Sequence, residues 1–141
     1  TKYITGTDGE KMSKSKNNIV DIFVDDKKLR KQIMKIETQS LAVEDPKNPE
    51  ECNVFKLFEV VAPESDVKLL KKEYLKGGVG YGEAKEELFN KILQRFSVNR
   101  EKYFELLENK DKVEALLLTG AQKARKQAQK VLKRVRSRVG F

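Results

Sequence analysis

At 141 residues, 37% of them charged, with a net charge of +8 and no histidine, the chain holds material for one domain, or one domain plus a short attached piece. No apolar run approaches the roughly 18 residues of a membrane span and no charged start precedes an apolar stretch, so a soluble, cytoplasmic protein with no membrane partner is expected. The single Cys52 has no disulfide partner, and without histidine or a second thiol the chain can build neither a structural zinc site nor a Ser-His or Cys-His pair, which leaves lysine, serine and carboxylates to carry chemistry.

The chain opens on Thr1 in a turn-rich approach, TKYITGTDGEK, and reads as a piece of a longer protein. The stretch DGEKMSKSKNN, residues 8 to 18, follows at once. Lys11 and Lys14 stand three apart, separated by Met12 and Ser13 and followed by Ser15, with Gly6 and Gly9 loosening the backbone before them. Lysine is a compact charge on a flexible stem and hydroxyls donate to phosphate oxygens, so such a loop can fold over a triphosphate and neutralise charge that develops there. A solvated basic loop has the same composition, and composition leaves both readings open. Next, NNIVDIFV is β-branched and alternating, as an extended segment would be. Asp25 and Asp26 then complement the first turn of a helix carrying Leu29, Ile33 and Ile36 at helical spacing. Residues 37 to 51 hold two prolines and no period, and 37–47 reads as a linker.

From Asn48 the pattern turns strongly helical. Asn48 as cap and Pro49 at the first position lead into Val54, Phe55, Leu57, Phe58 and Val61. Pro63 ends that helix and opens a second with Val67, Leu70 and Tyr74, which Gly77 and Gly78 stop. The run from Gly78 to Gly82 is no dinucleotide loop, since no strand precedes it and its spacing differs. It reads as a helix stop and tight turn, with Tyr81 packing its ring and Lys85 on the next first turn. A third, long helix begins near Gly82, with a break expected near Ser97. The last runs from Asp111 to Gly140 with Val113, Leu117, Ala121, Ala124, Ala128, Val131, Val135 and Val139 on one face, and Gly120 reads as a close helix crossing. Cys52, Met34 and Phe55, Phe58, Phe89, Phe96 and Phe104 are expected in the core. Residues 48–141 are thus predicted to form an all-α helical bundle around one shared apolar core.

All 22 acidic residues precede position 121, where lysines and arginines match them in number; the excess of eight cations lies entirely after it. These are Lys123, Arg125, Lys126, Lys130, Lys133, Arg134, Arg136 and Arg138. A solvated helix face near a helix C-terminus is one reading, and a surface for a polyanion such as RNA is the other.

KMSKS, within GTDGEKMSKSKNN…DIF, resembles the signature loop of the class I aminoacyl-tRNA synthetases, and of their tryptophanyl branch in particular. KGGVGYGEAKEEL is similar to the glycine-tyrosine-glycine segment in the helical domain of the bacterial members. Two matches in the right order and spacing extend the resemblance over nearly the whole chain. It implies that the loop closes over ATP, with its accompanying Mg2+, as tryptophan is activated, Lys11 and Lys14 stabilising the departing pyrophosphate. Ser13 and Ser15 would be phosphate-side donors and Met12 a packing residue; Lys16 departs from the usual pattern. It further implies that residues 1–36 are the C-terminal edge of a Rossmann-like catalytic domain and 48–141 an anticodon-binding domain. Arg125, Lys133, Arg134, Arg136 and Arg138 are then the expected contacts to tRNA(Trp), while Lys123, Lys126 and Lys130 face water. The intact enzyme is expected to be a homodimer and the piece alone inactive. A sister ligase such as the tyrosyl enzyme, whose loop usually varies at the methionine, and a free-standing helical RNA-binding module are the alternatives.

Overall fold

The computed structural model describes residues 3 to 140. In chain order these residues form α1 (Asp26–Met34), a 3-10 turn (Pro49–Glu51), α2 (Asn53–Val61), α3 (Glu64–Lys76), α4 (Tyr81–Glu108) and α5 (Lys110–Val139). Among the described residues the only β pairing is an isolated antiparallel bridge between Thr5 and Lys11. The all-α architecture matches expectation. None of the helices is long and apolar enough to cross a membrane.

Local chemistry accounts for the helix ends. The Asp25 carboxylate accepts from the Lys28 amide at 2.9 Å and caps α1. Pro63 has an extended backbone, ψ 151°, and starts α3, whose first turn carries Glu64 and Asp66 against the helix dipole. Gly77 ends α3 at φ +82°, where a side chain would be strained and an added Cβ would lie 2.1 Å from the Glu44 carbonyl oxygen. Asn48 and Pro49 open a 3-10 turn rather than α2 itself: the Asn48 side chain accepts from the Glu50 amide, and the extended backbone of Cys52 interrupts before Asn53. α4 runs unbroken through Ser97, whose hydroxyl donates back to the Gln94 carbonyl at 3.3 Å; no proline or glycine is there to break it.

The chain divides into two compact units, residues up to Arg100 and residues from Glu101 onward. In the first, Leu29, Ile33 and Ile36 pack with Val54, Phe55, Phe58, Leu70, Tyr74, Leu88 and Ile92 in one buried cluster, and Met12, Val20, Ile22, Val24 and Phe96 lie partly buried against it. Burying side chains of this size contributes about 1.5–3 kcal/mol each. The segment 19–24 is not a strand, yet its alternating residues still pack inward. Three polar contacts lace α1 to α4: the Arg30 guanidinium meets the Glu86 carboxylate at 2.9 Å, Lys85 Nζ donates to the Met34 carbonyl at 3.1 Å, and Arg100 bonds Asp26; Arg100 also donates to the Ile22 carbonyl just ahead of α1.

Lys47, at 1% exposure, lies within the stretch read as a linker. Its ammonium donates to the carbonyls of Ala42 at 2.9 Å, Val43 at 3.1 Å and Asp45 at 3.0 Å, and sits 5.4 Å from the Tyr81 ring centre. Tyr81 meets Tyr74 edge-on at 6.3 Å, and Cys52 Sγ donates to the Tyr74 hydroxyl.

In the second unit, Glu105 accepts from Lys102 at 3.3 Å and from Lys112 at 2.7 Å across the joint at Asn109. α5 buries none of its residues. The expected single core from 48 to 141 therefore differs in extent: it takes in α1 and leaves α5 out. Leu117 is 68% exposed and Val135 48%, and a Cβ at Gly120 would meet open space, so among the described residues no helix crosses at Gly120.

Candidate functional site

The loop is built around Asn18, which is 2% exposed. Its Nδ2 donates to Asp8 Oδ1 at 2.7 Å and to the Lys11 carbonyl at 3.1 Å, while its Oδ1 accepts from the Ser13 amide at 2.7 Å. Its own carbonyl accepts from the Thr7 amide at 2.9 Å. One side chain thus ties the approach to the loop and both flanks of Met12. Gly6 permits this, because a Cβ there would lie 2.5 Å from Asn18 Cγ and 2.7 Å from its carbonyl oxygen. Below the loop, the Met12 side chain rests on the buried cluster and the Met12 amide bonds the Ile4 carbonyl at 2.8 Å. The Glu37 amide reaches the Thr7 carbonyl at 2.8 Å and closes the base.

Beyond this stem the tip is exposed. Asn17 takes a left-handed backbone, φ 53°, and its amide bonds the Lys14 carbonyl at 3.1 Å, so 14 to 17 form a tight turn. The hydroxyls of Ser13 and Ser15 lie 2.8 Å apart. Lys16 is paired with Glu10 across the loop, a carboxylate that raises the lysine's pKa. The Asn18 amide, donating to Asp8, holds that carboxyl below its usual range. Lys11 and Lys14 are exposed and have no carboxylate partner among the described residues.

The arrangement therefore brings Lys11, Met12, Ser13, Lys14 and Ser15 together and divides their labour. Met12 anchors, Lys11 stands beside the stem, and Lys14 with the two hydroxyls occupies the tip, ready to meet an anion. Asn18, Asp8 and Glu10 were not singled out by sequence reasoning, and Lys16 was noted only as a departure from the usual loop pattern. The available signal was a short polar side chain ten residues after Asp8, able to satisfy backbone groups in a turn.

The other predicted residues all lie on α5 and are exposed. At about 100° per residue they do not share one face. Arg125 and Arg136 border one edge of the stripe containing Leu117, Val131, Val135 and Val139, Arg134 and Arg138 border the other, and Lys133 lies on the opposite side of the helix. Together they surround most of the helix circumference with positive charge, and no acidic residue lies among them.

A loop of lysines and serines clamped at its base, followed by a helical region, defines a class, and comparison with known proteins agrees. Residues 1–97 match the family described as tRNA synthetases class I (W and Y), and the chain belongs to that family. Its similar relatives are tryptophan–tRNA ligases: that of Campylobacter jejuni is 46% identical over 138 residues, covering 98% of this chain and 43% of the relative. That of Fusobacterium nucleatum is 43% identical over 140 residues, covering 98% of this chain and 42% of the relative. A crystal structure of the Campylobacter jejuni tryptophanyl-tRNA synthetase complexed with ADP and tryptophan superimposes with a TM-score of 0.95 at 45% identity, over 100% of this chain and 44% of that one. The chain spans less than half the length of the relatives it matches.

Proposed function

We propose that the chain works as the C-terminal part of a cytoplasmic tryptophan–tRNA ligase, which activates tryptophan with ATP and transfers it to tRNA(Trp). In this reading residues 1–36 are the edge of the catalytic domain, 37–47 connect, and 48–141 bind the anticodon region. The observation that carries it is that, among the described residues, Lys11 and Lys14 have no carboxylate partner on a loop whose third lysine, Lys16, is already held by Glu10.

The chemistry follows from charge. Attack of the tryptophan carboxylate on the α-phosphorus releases pyrophosphate, and negative charge grows on the bridging and terminal oxygens as that bond breaks. Lys11 and Lys14 offset this charge most strongly in the transition state, while Ser13 and Ser15 exchange their mutual hydrogen bond for bonds to phosphate oxygens. Mg2+ enters with the ATP as part of the substrate. Closure of the tip over the nucleotide excludes water from the developing adenylate. Arg125, Lys133, Arg134, Arg136 and Arg138 attract the tRNA backbone, and the arginine guanidinium planes among them stack on unpaired bases. The intact enzyme is a homodimer.

The full-length enzyme tests this directly: tryptophan, and not tyrosine, supports ATP–pyrophosphate exchange. Exchange with neither amino acid refutes the reading. Separately, Arg134→Glu with Arg138→Glu weakens tRNA(Trp) binding and lowers the slope of log K against log salt by about 0.7–0.9 per lost phosphate contact. An unchanged slope means that α5 faces solvent.

A further inference from the structure

We propose that Asn18 is the positioning residue of the loop: it fixes the backbone on both sides of Met12, so that Lys11 is preset on the stem while Lys14 moves with the tip. The proposal rests on the ATP-engaging reading given above.

Three features carry it. The Asn18 amide is almost fully buried and bonds Asp8 Oδ1, the Lys11 carbonyl and the Ser13 amide, at 2.7, 3.1 and 2.7 Å. These partners bracket Met12, whose side chain is seated on the core, so residues 11 to 13 have little room to rotate. The tip from Lys14 to Asn17, by contrast, is held by one backbone hydrogen bond of its own, one hydroxyl pair and the exposed Glu10–Lys16 pair. Exposed links of this kind yield readily to a better partner. The clamp therefore sets where the hinge lies: after Ser13, not before Lys11. A loop hinged there delivers Lys14 and Ser15 to an anion without displacing Lys11, which is the preorganisation that a charge-stabilising group requires.

Asn18→Asp is the test, because its carboxylate is nearly isosteric but cannot donate to Asp8 or to the Lys11 carbonyl, and it opposes a second carboxylate. In the full-length enzyme it should lower kcat for tryptophan-dependent ATP–pyrophosphate exchange by about ten- to a hundredfold. KM for tryptophan should stay within twofold, and so should the affinity for tRNA(Trp). The double variant Asp8→Asn with Asn18→Asp reverses donor and acceptor between positions 8 and 18 and relieves the carboxylate repulsion, but leaves the Lys11 carbonyl without its donor, and should recover part of the loss, at least about threefold. Should Asn18→Asp unfold, Asp8→Ala serves instead and should lower kcat severalfold at unchanged melting temperature. Exchange by Asn18→Asp, or in that case by Asp8→Ala, within twofold of wild type overturns the proposal. So does a folded double variant that recovers nothing. A wild-type enzyme that supports no exchange refutes the ligase reading itself, and the proposal falls with it.

Discussion

The three loop lysines are chemically identical and lie within six positions of one another, from Lys11 to Lys16, yet they should respond very differently to alanine. Lys16 is committed to Glu10, whereas Lys11 and Lys14 have no carboxylate to neutralise them among the described residues. A positioned donor that meets charge developing in a water-poor site is worth about 2.7–4 kcal/mol, or roughly a hundred- to a thousandfold in kcat. Lys14→Ala and Lys11→Ala should each lose that much in tryptophan-dependent ATP–pyrophosphate exchange by the full-length enzyme at saturating tryptophan. Lys16→Ala removes an exposed pair and should cost less than about fivefold. Lys14→Arg keeps the charge but changes its shape, and should fall between the two. On the proposed reading, in which the basic helix carries the tRNA contacts, binding of tRNA(Trp) should be unaffected by all four. A Lys16→Ala loss equal to that of Lys14→Ala, or Lys14→Ala exchange within threefold of wild type, refutes the assignment.

Three further outcomes follow from the helical part. Gly77→Ala combines φ +82° with a 2.1 Å clash against a backbone oxygen and should cost about 2–4 kcal/mol in urea unfolding, whereas Gly78→Ala, at φ +99° with open space around it, should cost about 1–2; equal values would contradict the close approach of residues 44 and 77. Lys47→Met keeps the buried stem but strands three carbonyls, and a loss of about 2–4 kcal/mol is expected; a loss under 1 would mean that water replaces the ammonium without penalty. Burial pushes the Tyr74 phenol far above its ordinary value. The unfolded phenol ionises near pH 10, so the stability it contributes is whole below about pH 10 and is lost as pH rises beyond it, by about 1.4 kcal/mol per pH unit. Tyr74→Phe should flatten that alkaline slope, and an identical slope in wild type and variant would show that Tyr74 does not set it.

Much of the helical region was legible because its stop and start signals are local. Asp25, Pro63, Gly77 and Gly140 each act within a turn, and each marks a helix end where periodicity also changes. Periodicity identified the stripe on α5 as well, but a stripe says which residues could be covered, not whether anything covers them. Gly120 failed for the same reason: a small residue permits a crossing without supplying the second helix. Lys47 was hidden inside a proline-bearing stretch because, although its three carbonyl partners are only two to five residues away, its neighbours Tyr74 and Tyr81 lie far along the chain. In the loop, residue types left a solvated and a phosphate-binding reading open, and the resemblance of KMSKS picked out Lys11, Lys14 and the serines, while the clamp at Asn18 joins residues seven and ten positions apart and leaves no periodic trace.

The lacing of α1 to α4 bears on what would happen if the exposed stretch 37–46 were cut. Arg30, Lys85 and Arg100 reach over 50 to 80 positions of chain, and Leu29, Ile33 and Ile36 share their burial with α2, α3 and α4. A protease nicking that stretch would therefore sever the polypeptide without releasing either piece. The two would travel together through gel filtration and part only in denaturant, and fragments made separately should reassemble by the same surfaces.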